Sequence, residues 1–250
     1  MKYIVVLIII CFSLSAKSQI LNAESLRKVT DTSGFSGSAS LDFSLKRDVN
    51  QSLEVSSSFH IQYKMKKHLV LLKNDIEFQK IEGTKLENAG IAHLRYNYRF
   101  HPRIALEAFT QAQYNKVSKI EFRGLVGAGP RFKVTTSEKF KVYLGTHLMY
   151  EYEELSDGIT PIQRDFRSTS YLSFSFYPTK TMSLISTTYY QPKLKDFGDY
   201  RFSNQSSLLI DVFKNFAFKT SYTFIYDETP AVGIPNSQYN LKTGVAYTFD

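Results

Sequence analysis

The segment Tyr239 to Phe249 restricts the possible fold more than any other stretch of the chain. Tyr239, Leu241, Val245, Tyr247 and Phe249 fall on one side of an extended backbone, with Thr243 the single polar residue among them. Asn240, Lys242, Gly244, Ala246 and Thr248 fall on the other. A period of two places alternate residues on opposite faces of a strand. Long strands with a greasy outer face and a polar inner face suit a barrel wall bathed in lipid.

The N-terminal end limits the alternatives. Met1 to Ser18 reads as a secretory signal: Lys2 gives the positive start, Tyr3 to Leu14 an apolar run, and Ala16-Lys17-Ser18 the small residues of a cleavage site. The run is too short to cross a bilayer as a helix, and no other stretch approaches the ~20 apolar residues such a helix needs. The single cysteine, Cys11, lies inside this segment behind Ile10, and a bulky residue there argues against lipidation. Its removal would leave no thiol, excluding disulfides and thiol chemistry. The formal charge is +8, but an exported chain rarely meets nucleic acid, and the basic residues are scattered apart from Lys64, Lys66 and Lys67. No nucleic-acid partner is expected. Tryptophan is absent, so the interfacial belts of a membrane protein would have to come from the 17 tyrosines and 20 phenylalanines.

Period-two patterning continues through the chain and predicts twelve strands, at 35–47, 51–63, 68–80, 88–100, 103–115, 118–133, 139–153, 165–177, 181–192, 202–213, 216–227 and 238–249. Most are longer than strands of soluble domains. A soluble sandwich also alternates, so other features must decide. An even strand number fits a single-chain bacterial barrel, and connections that alternate between short and long fit its two ends. The turns at His101-Pro102, Pro178-Thr179-Lys180 and Lys214-Asn215 are short; the loops at 81–87, 154–164, 193–201 and 228–237 are longer, with short exceptions at Asp48-Val49-Asn50 and Lys116-Val117. Aromatic residues gather at strand ends: Tyr63, Tyr98, Phe100, Phe132, Phe140, Phe176 and Phe249 at one rim, and Tyr150, Tyr152, Tyr190, Phe202, Tyr226 and Tyr239 at the other. Two such rings mark the headgroup levels of a bilayer. The expected organisation is a cleaved signal at 1–18, a periplasmic segment at 19–34 without alternation, and a single antiparallel transmembrane β-barrel over 35–250. The 19–34 segment has a second reading, as a plug or rim contact.

At the centre of the chain, Glu107-Ala108-Phe109-Thr110-Gln111-Ala112-Gln113-Tyr114-Asn115 leads to Arg123-Gly124-Leu125-Val126-Gly127-Ala128-Gly129-Pro130-Arg131-Phe132, followed by Gly145, Glu151 and Glu153. This run resembles the domain-of-unknown-function 481 family, also described as salt-induced outer-membrane proteins. The similarity spans nearly all of the chain after the signal. It implies a Gram-negative outer-membrane barrel and brings no established activity, ligand or catalytic residue. The aromatic residues Tyr247 and Phe249 beside the C-terminus likewise resemble the signal by which such barrels are recognised for assembly, although Asp250 follows. Outer-membrane lipid and the barrel-assembly machinery are therefore the expected partners, and the sequence leaves any small-molecule ligand open.

With the facing fixed by alternation, charges of both signs point inward in nearly equal number. A polar network of Arg95, Glu107, Glu121, Arg123, Arg131, His147, Glu151 and Arg167 is the candidate site. Rings of one sign mark an ion-selective pore; mixed signs suit cross-strand pairs. Closing the sixth and seventh strands about Ser137 sets Arg123 opposite Glu151, Arg131 opposite Tyr143 and Gly129 opposite Gly145, and predicts an Arg123–Glu151 contact. A slip of two residues would keep the facing and change the partner. Gly127, Gly129, Gly145 and Gly244 read first as points where strands bend on closure and second as a small-residue floor leaving room for a solute. A lipid hydrolase would need a serine with a histidine base near the outer leaflet, whereas His60, His93 and His147 project inward and His68 and His101 sit in turns. No metal-ligand spacing or phosphate loop is visible, and no cofactor is expected. The leading reading is a non-enzymatic envelope barrel, either a narrow solute pathway or a structural, stress-related component. The alternatives are a hydrolase acting on outer-membrane lipid and a secreted β-sandwich that binds glycans.

Overall fold

The computed structural model describes residues 33–47, 51–81, 86–135, 137 and 139–249. The expected signal, the leader as far as residue 32 and the turn at 48–50 lie outside the described residues. Every regular element described is a strand: β1 (Gly34–Arg47), β2 (Gln51–Met65), β3 (His68–Ile81), β4 (Leu86–His101), β5 (Ile104–Asn115), β6 (Ile120–Lys133), β7 (Phe140–Leu155), β8 (Gln163–Thr179), β9 (Met182–Lys193), β10 (Asp196–Phe213), β11 (Phe216–Asp227) and β12 (Ser237–Phe249). Each pairs antiparallel with its sequence neighbour, and β12 returns to β1, so the sheet closes on itself. At that seam Gly37 faces Phe249 and Phe43 faces Thr243, while β1 pairs with β2 along its full length from Gly34 to Arg47.

Alternation decides which side of each strand is covered. On β1, Ser36, Ser38, Ser40 and Asp42 are buried inside, and Phe35, Leu41, Phe43 and Leu45 are exposed outside. The same division holds on β4, where His93, Arg95 and Asn97 are buried and Leu94 and Tyr96 are exposed. A soluble domain would bury its apolar set, since each Å² of apolar surface left in water forgoes about 25 cal/mol. The inversion is met only where hydrocarbon surrounds the wall.

Aromatic rings pack in two bands. Phe35 lies 4.5 Å from Tyr63, Phe140 lies 4.6 Å from Phe174, and Phe216 lies 4.9 Å from Tyr247 at the end that carries Gly34 and Phe249. Tyr150–Phe166, Tyr190–Tyr200 and Tyr200–Tyr226 pack at 5.3, 5.6 and 5.5 Å towards the other end.

Turns at the terminal end are tight. Lys66 and Asn215 take φ values of 51° and 71°, the left-handed conformation common in two-residue hairpins. The largest departure from the sequence expectation is at β10, which begins at Asp196 and not at 202. The segment 193–201, expected as a loop, continues the β9–β10 hairpin, with an irregularity between Asp196 and Tyr200. Gly198 and the charged residues around it imitate a loop, but the strand here runs on past the aromatic band and has no need of apolar alternation.

Candidate functional site

Among the described residues, large side chains, both polar and apolar, are buried inside the barrel. Three arginines from three strands converge on one carboxylate, that of Glu151 on β7. Arg123 on β6 donates Nε–H to Oε1 at 2.5 Å, Arg167 on β8 donates Nε–H to Oε2 at 2.5 Å, and Arg201 on β10 donates through Nη1 to Oε1. Arg201 also reaches Glu153 Oε1 and Asp227 Oδ2, both at 2.7 Å, and Arg167 reaches Asp199 Oδ1 at 2.8 Å. Lys193 bridges Asp199 and Asp165 at 2.9 and 3.0 Å. Glu151 and Arg167 have no accessible surface. Charges taken this far from water are tolerated only when paired and hydrogen-bonded, and here cations and carboxylates alternate through the cluster.

A second centre forms around Glu107 on β5. Its Oε1 accepts from Asn97 Nδ2 at 2.6 Å and from Arg131 Nη1 at 3.2 Å; its Oε2 accepts the Tyr171 hydroxyl at 2.6 Å. His147 Nε2 lies 3.2 Å and Arg95 Nη1 3.5 Å from the same oxygen. The Arg131 guanidinium stacks 4.0 Å above the Tyr143 ring. Towards the β1–β12 seam, Lys219 reaches past Gly244 to Asp42 at 2.8 Å, and Lys242 joins Glu54 to Glu77. Apolar side chains complete the filling, with Leu71, Met149, Tyr171 and Ile225 almost fully buried. Between the two ionic centres, a cavity of about 30 Å³ is bordered by His93, Arg95, Arg123, His147 and Tyr171. That is room for a few water molecules.

Seven of the eight expected network residues lie inside: Arg95, Glu107, Arg123, Arg131, His147, Glu151 and Arg167 are all buried. Glu121 does not join them. A bulge between Ile120 and Phe122 turns Ile120 inward and leaves both Glu121 and Phe122 exposed, because an extra residue shifts the alternation by one. The register of β6 on β7 differs by two residues from the expected one. Arg123 faces Glu153, Arg131 faces Gly145 and Lys133 faces Tyr143; Gly129 abuts Thr146 and His147. The Arg123–Glu151 contact nevertheless forms, because a long arginine reaches the diagonal neighbour. Arg131 meets Tyr143 in the same way.

The glycines accommodate close approach. A Cβ at Gly145 would lie 2.3 Å from the Tyr171 ring, and one at Gly129 would lie 2.0 Å from the Thr146 carbonyl oxygen. Neither leaves free space for a solute. Arg201 and Asp199 lie in the segment that the sequence presents as a loop; extending the alternation of β10 backwards from Ser203 puts both on the inner face. Tyr171 shares the inner face of β8 with Arg167, and that parity was the available signal. Among the described residues, no group of three or more His, Cys, Asp or Glu side chains is placed to hold a metal ion.

Comparison with solved structures gives outer-membrane barrels. An outer-membrane channel from Pseudomonas putida F1 superposes with a TM-score of 0.55 at 10% identity, covering 88% of this chain and 97% of its own. The NanC porin gives 0.54 at 10% identity, with 86% and 100% covered. The KdgM porin, solved in complex with disordered oligogalacturonate, gives 0.50 at 10% identity, with 85% and 99% covered. At such identities the likeness concerns the fold, a closed antiparallel barrel of outer-membrane type. A comparison with curated protein sequences gives no match. The model of a family described as protein of unknown function, DUF481, matches residues 30–249, and the chain belongs to that family.

Proposed function

We propose that this chain is a non-enzymatic barrel of the outer membrane whose interior is sealed, an envelope component that spans the membrane without leaking small solutes. The observation that carries this reading is the absence of accessible surface on Glu151 and Arg167 in the middle of the lumen. Inward side chains of an open pore are wetted; these are not. Residues 1–18, removed on export, and Tyr247 with Phe249, presented to the barrel-assembly machinery, fit the same placement. The buried position of His60, His93 and His147 supports a non-enzymatic role, since a hydrolase of outer-leaflet lipid would need its base on the lipid-facing wall.

One observation favours a second reading, a conduit that opens when the plug is displaced. Arg95, Arg123, Arg131, Arg167 and Arg201 all project into the lumen, and arginine is suited to carboxylates. The fold-related KdgM porin was solved with an acidic saccharide. Acidic sugars would be the solute class of such a conduit.

Planar-bilayer recordings of the refolded protein separate the two. The sealed barrel stays silent across the voltage range. Discrete steps that are blocked by an oligouronate would replace the first reading with the second.

A further inference from the structure

Among the described residues, one connection, that between β11 and β12, spans the mouth opposite Gly34 and Phe249. In a ring of twelve strands, the β5–β6 hairpin and the β11–β12 loop are six strands apart whichever way they are counted. The two nevertheless touch. Lys119, in the β5–β6 turn, donates from Nζ to the carbonyl of Val232 at 2.7 Å. The amide of the same Val232 donates to Asp157 Oδ2, in the β7–β8 loop, at 3.2 Å. Residues 228–236 must therefore cross the opening to arrive there.

The crossing segment is built to hold its shape. Asn236 caps the Asp227 and Glu228 carbonyls at 2.9 and 3.0 Å, and the Ile234 amide turns back to the Ala231 carbonyl at 2.9 Å. Gly233 takes a φ of +84°, a conformation that residues with a Cβ avoid. Pro230 and Pro235 stiffen both arms. Its underside is shut off from solvent: Ala231 is 4% exposed, whereas Val232 at the grip point is 53% exposed. The receiving side is equally prepared. The Asp157 carboxylate is held in place by the Ile159 and Thr160 amides and the Thr160 hydroxyl at 3.0, 2.9 and 2.6 Å. The Ser156 amide, donating to the Lys119 carbonyl at 2.8 Å, ties the two receiving loops together. Finally, Thr229 Oγ1 donates to Asp199 Oδ2 at 3.2 Å, joining the segment to the ionic cluster beneath.

We propose that residues 228–236 are a lid closing this mouth, locked by a two-point latch in which Lys119 and Asp157 grip the two peptide groups that flank Val232, one by its carbonyl and the other by its amide. The latch engages only backbone, so the side chain at 232 is left free and the grip depends on two charged residues in two separate loops. Both latch contacts are reachable by water, which screens them. The lid is therefore releasable while the barrel stays folded, and it closes the mouth as a layer above the arginine–carboxylate plug, joined to it through Thr229 and Asp199.

The test uses the refolded full chain carrying Ala231→Cys, with the parent as the background for Cys11, and follows the rate of maleimide labelling. Labelling is slow with the latch intact. Adding Lys119→Met and Asp157→Asn together raises the rate about tenfold, a change of roughly 1.4 kcal/mol in lid closure, while heat-modifiable migration on a gel shows the barrel still closed. Exposed Ser137→Cys at the opposite end serves as the fast reference. A rate at position 231 that matches the reference with the latch intact, or that is unmoved by the double substitution, overturns the proposal. Should the substituted chains not fold, hydrogen exchange in the unsubstituted protein decides alone: the Val232 and Ile234 amides exchange slowly if latched, and exchange at the free-chain rate refutes the lid.

Discussion

Replacing Glu151 with glutamine keeps the outline of the side chain and removes the charge on which three guanidinium groups converge. Oε1 serves Arg123 and Arg201, and Oε2 serves Arg167. An amide has one oxygen, so whichever end carries the NH2 group meets an arginine donor head-on. The favoured orientation keeps the oxygen towards Arg123 and Arg201, which also retain Glu153. Arg167 then loses its contact outright and keeps Asp199 with the Gln191 and Asp199 carbonyls. Turning two ion-pair bonds into bonds with only the arginine charged costs about 1 kcal/mol each, and a lost charged bond about 2–3 kcal/mol. The total is about 4–5 kcal/mol, at the upper end of the range for breaking a buried ion pair and a large part of the stability of an ordinary domain. With no tryptophan to report unfolding, urea titration in lipid vesicles read by heat-modifiable gel migration is the suitable assay. Glu121→Gln, at an exposed position, is the control and shifts stability by less than about 0.5 kcal/mol. A Glu151→Gln loss under about 1 kcal/mol would refute the reasoning, because the carboxylate would then not be the anchor of the plug.

Gly129→Ala places a Cβ against the Thr146 carbonyl and His147 Cα, backbone atoms that cannot swing away; the folded fraction on the same gel falls, with a cost of about 1–3 kcal/mol. Gly124→Ala meets only the edge of the mobile Phe122 ring at 3.2 Å and folds like the parent. Tyr171→Phe removes the hydroxyl 2.6 Å from Glu107 and costs about 1.5–3 kcal/mol in the urea titration, the usual worth of a bond to a charged group. The Thr160 hydroxyl, the Thr160 and Ile159 amides and the Val232 amide all donate to Asp157 and hold its carboxyl well below the ordinary carboxylate range. A depressed carboxyl contributes stability above its unfolded value and loses it only as pH falls through the lower folded value. Labelling at Ala231→Cys, taken relative to Ser137→Cys at the same pH to cancel the loss of thiolate, therefore stays slow from pH 8 to about pH 5 and rises only in stronger acid; a rise near neutral pH would contradict the assignment.

Much of the wall could be read from residue order, because lipid enforces one rule at every position. Leu41, Phe43, Leu94, Leu148 and Val245 announce an outer face wherever they alternate with polar neighbours. The rule fails at two kinds of place. At Glu121 a bulge adds one residue and reverses the facing, and nothing in Ile120-Glu121-Phe122 marks it. Beyond the aromatic band, at Asp196 to Arg201, lipid no longer acts on the strand and the pattern that revealed the others disappears. Within the lumen, facing was legible and pairing was not. Arg123 found Glu151 across a diagonal because its length forgives a two-residue error, whereas glycine forgives none, and Gly129 lies against His147 in place of Gly145. The convergence of Arg123, Arg167 and Arg201 on one carboxylate depends on the curvature of the closed sheet, which brings β10 within reach of β7 and has no counterpart in sequence spacing.

The seam between β1 and β12 has a consequence for how the molecule comes into being. It joins the first strand made to the last, over a shorter stretch than β1 shares with β2. Until the strand that ends at Phe249 is in place, the ring cannot be completed, and every partial sheet carries two bare edges of unpaired amides and carbonyls. Such edges invite pairing with any neighbouring chain, and the distance in sequence between the two partners makes unaided closure slow. Biogenesis of this protein is thus a problem of shielding two edges for as long as synthesis lasts, and the final strand is the step that ends the exposure.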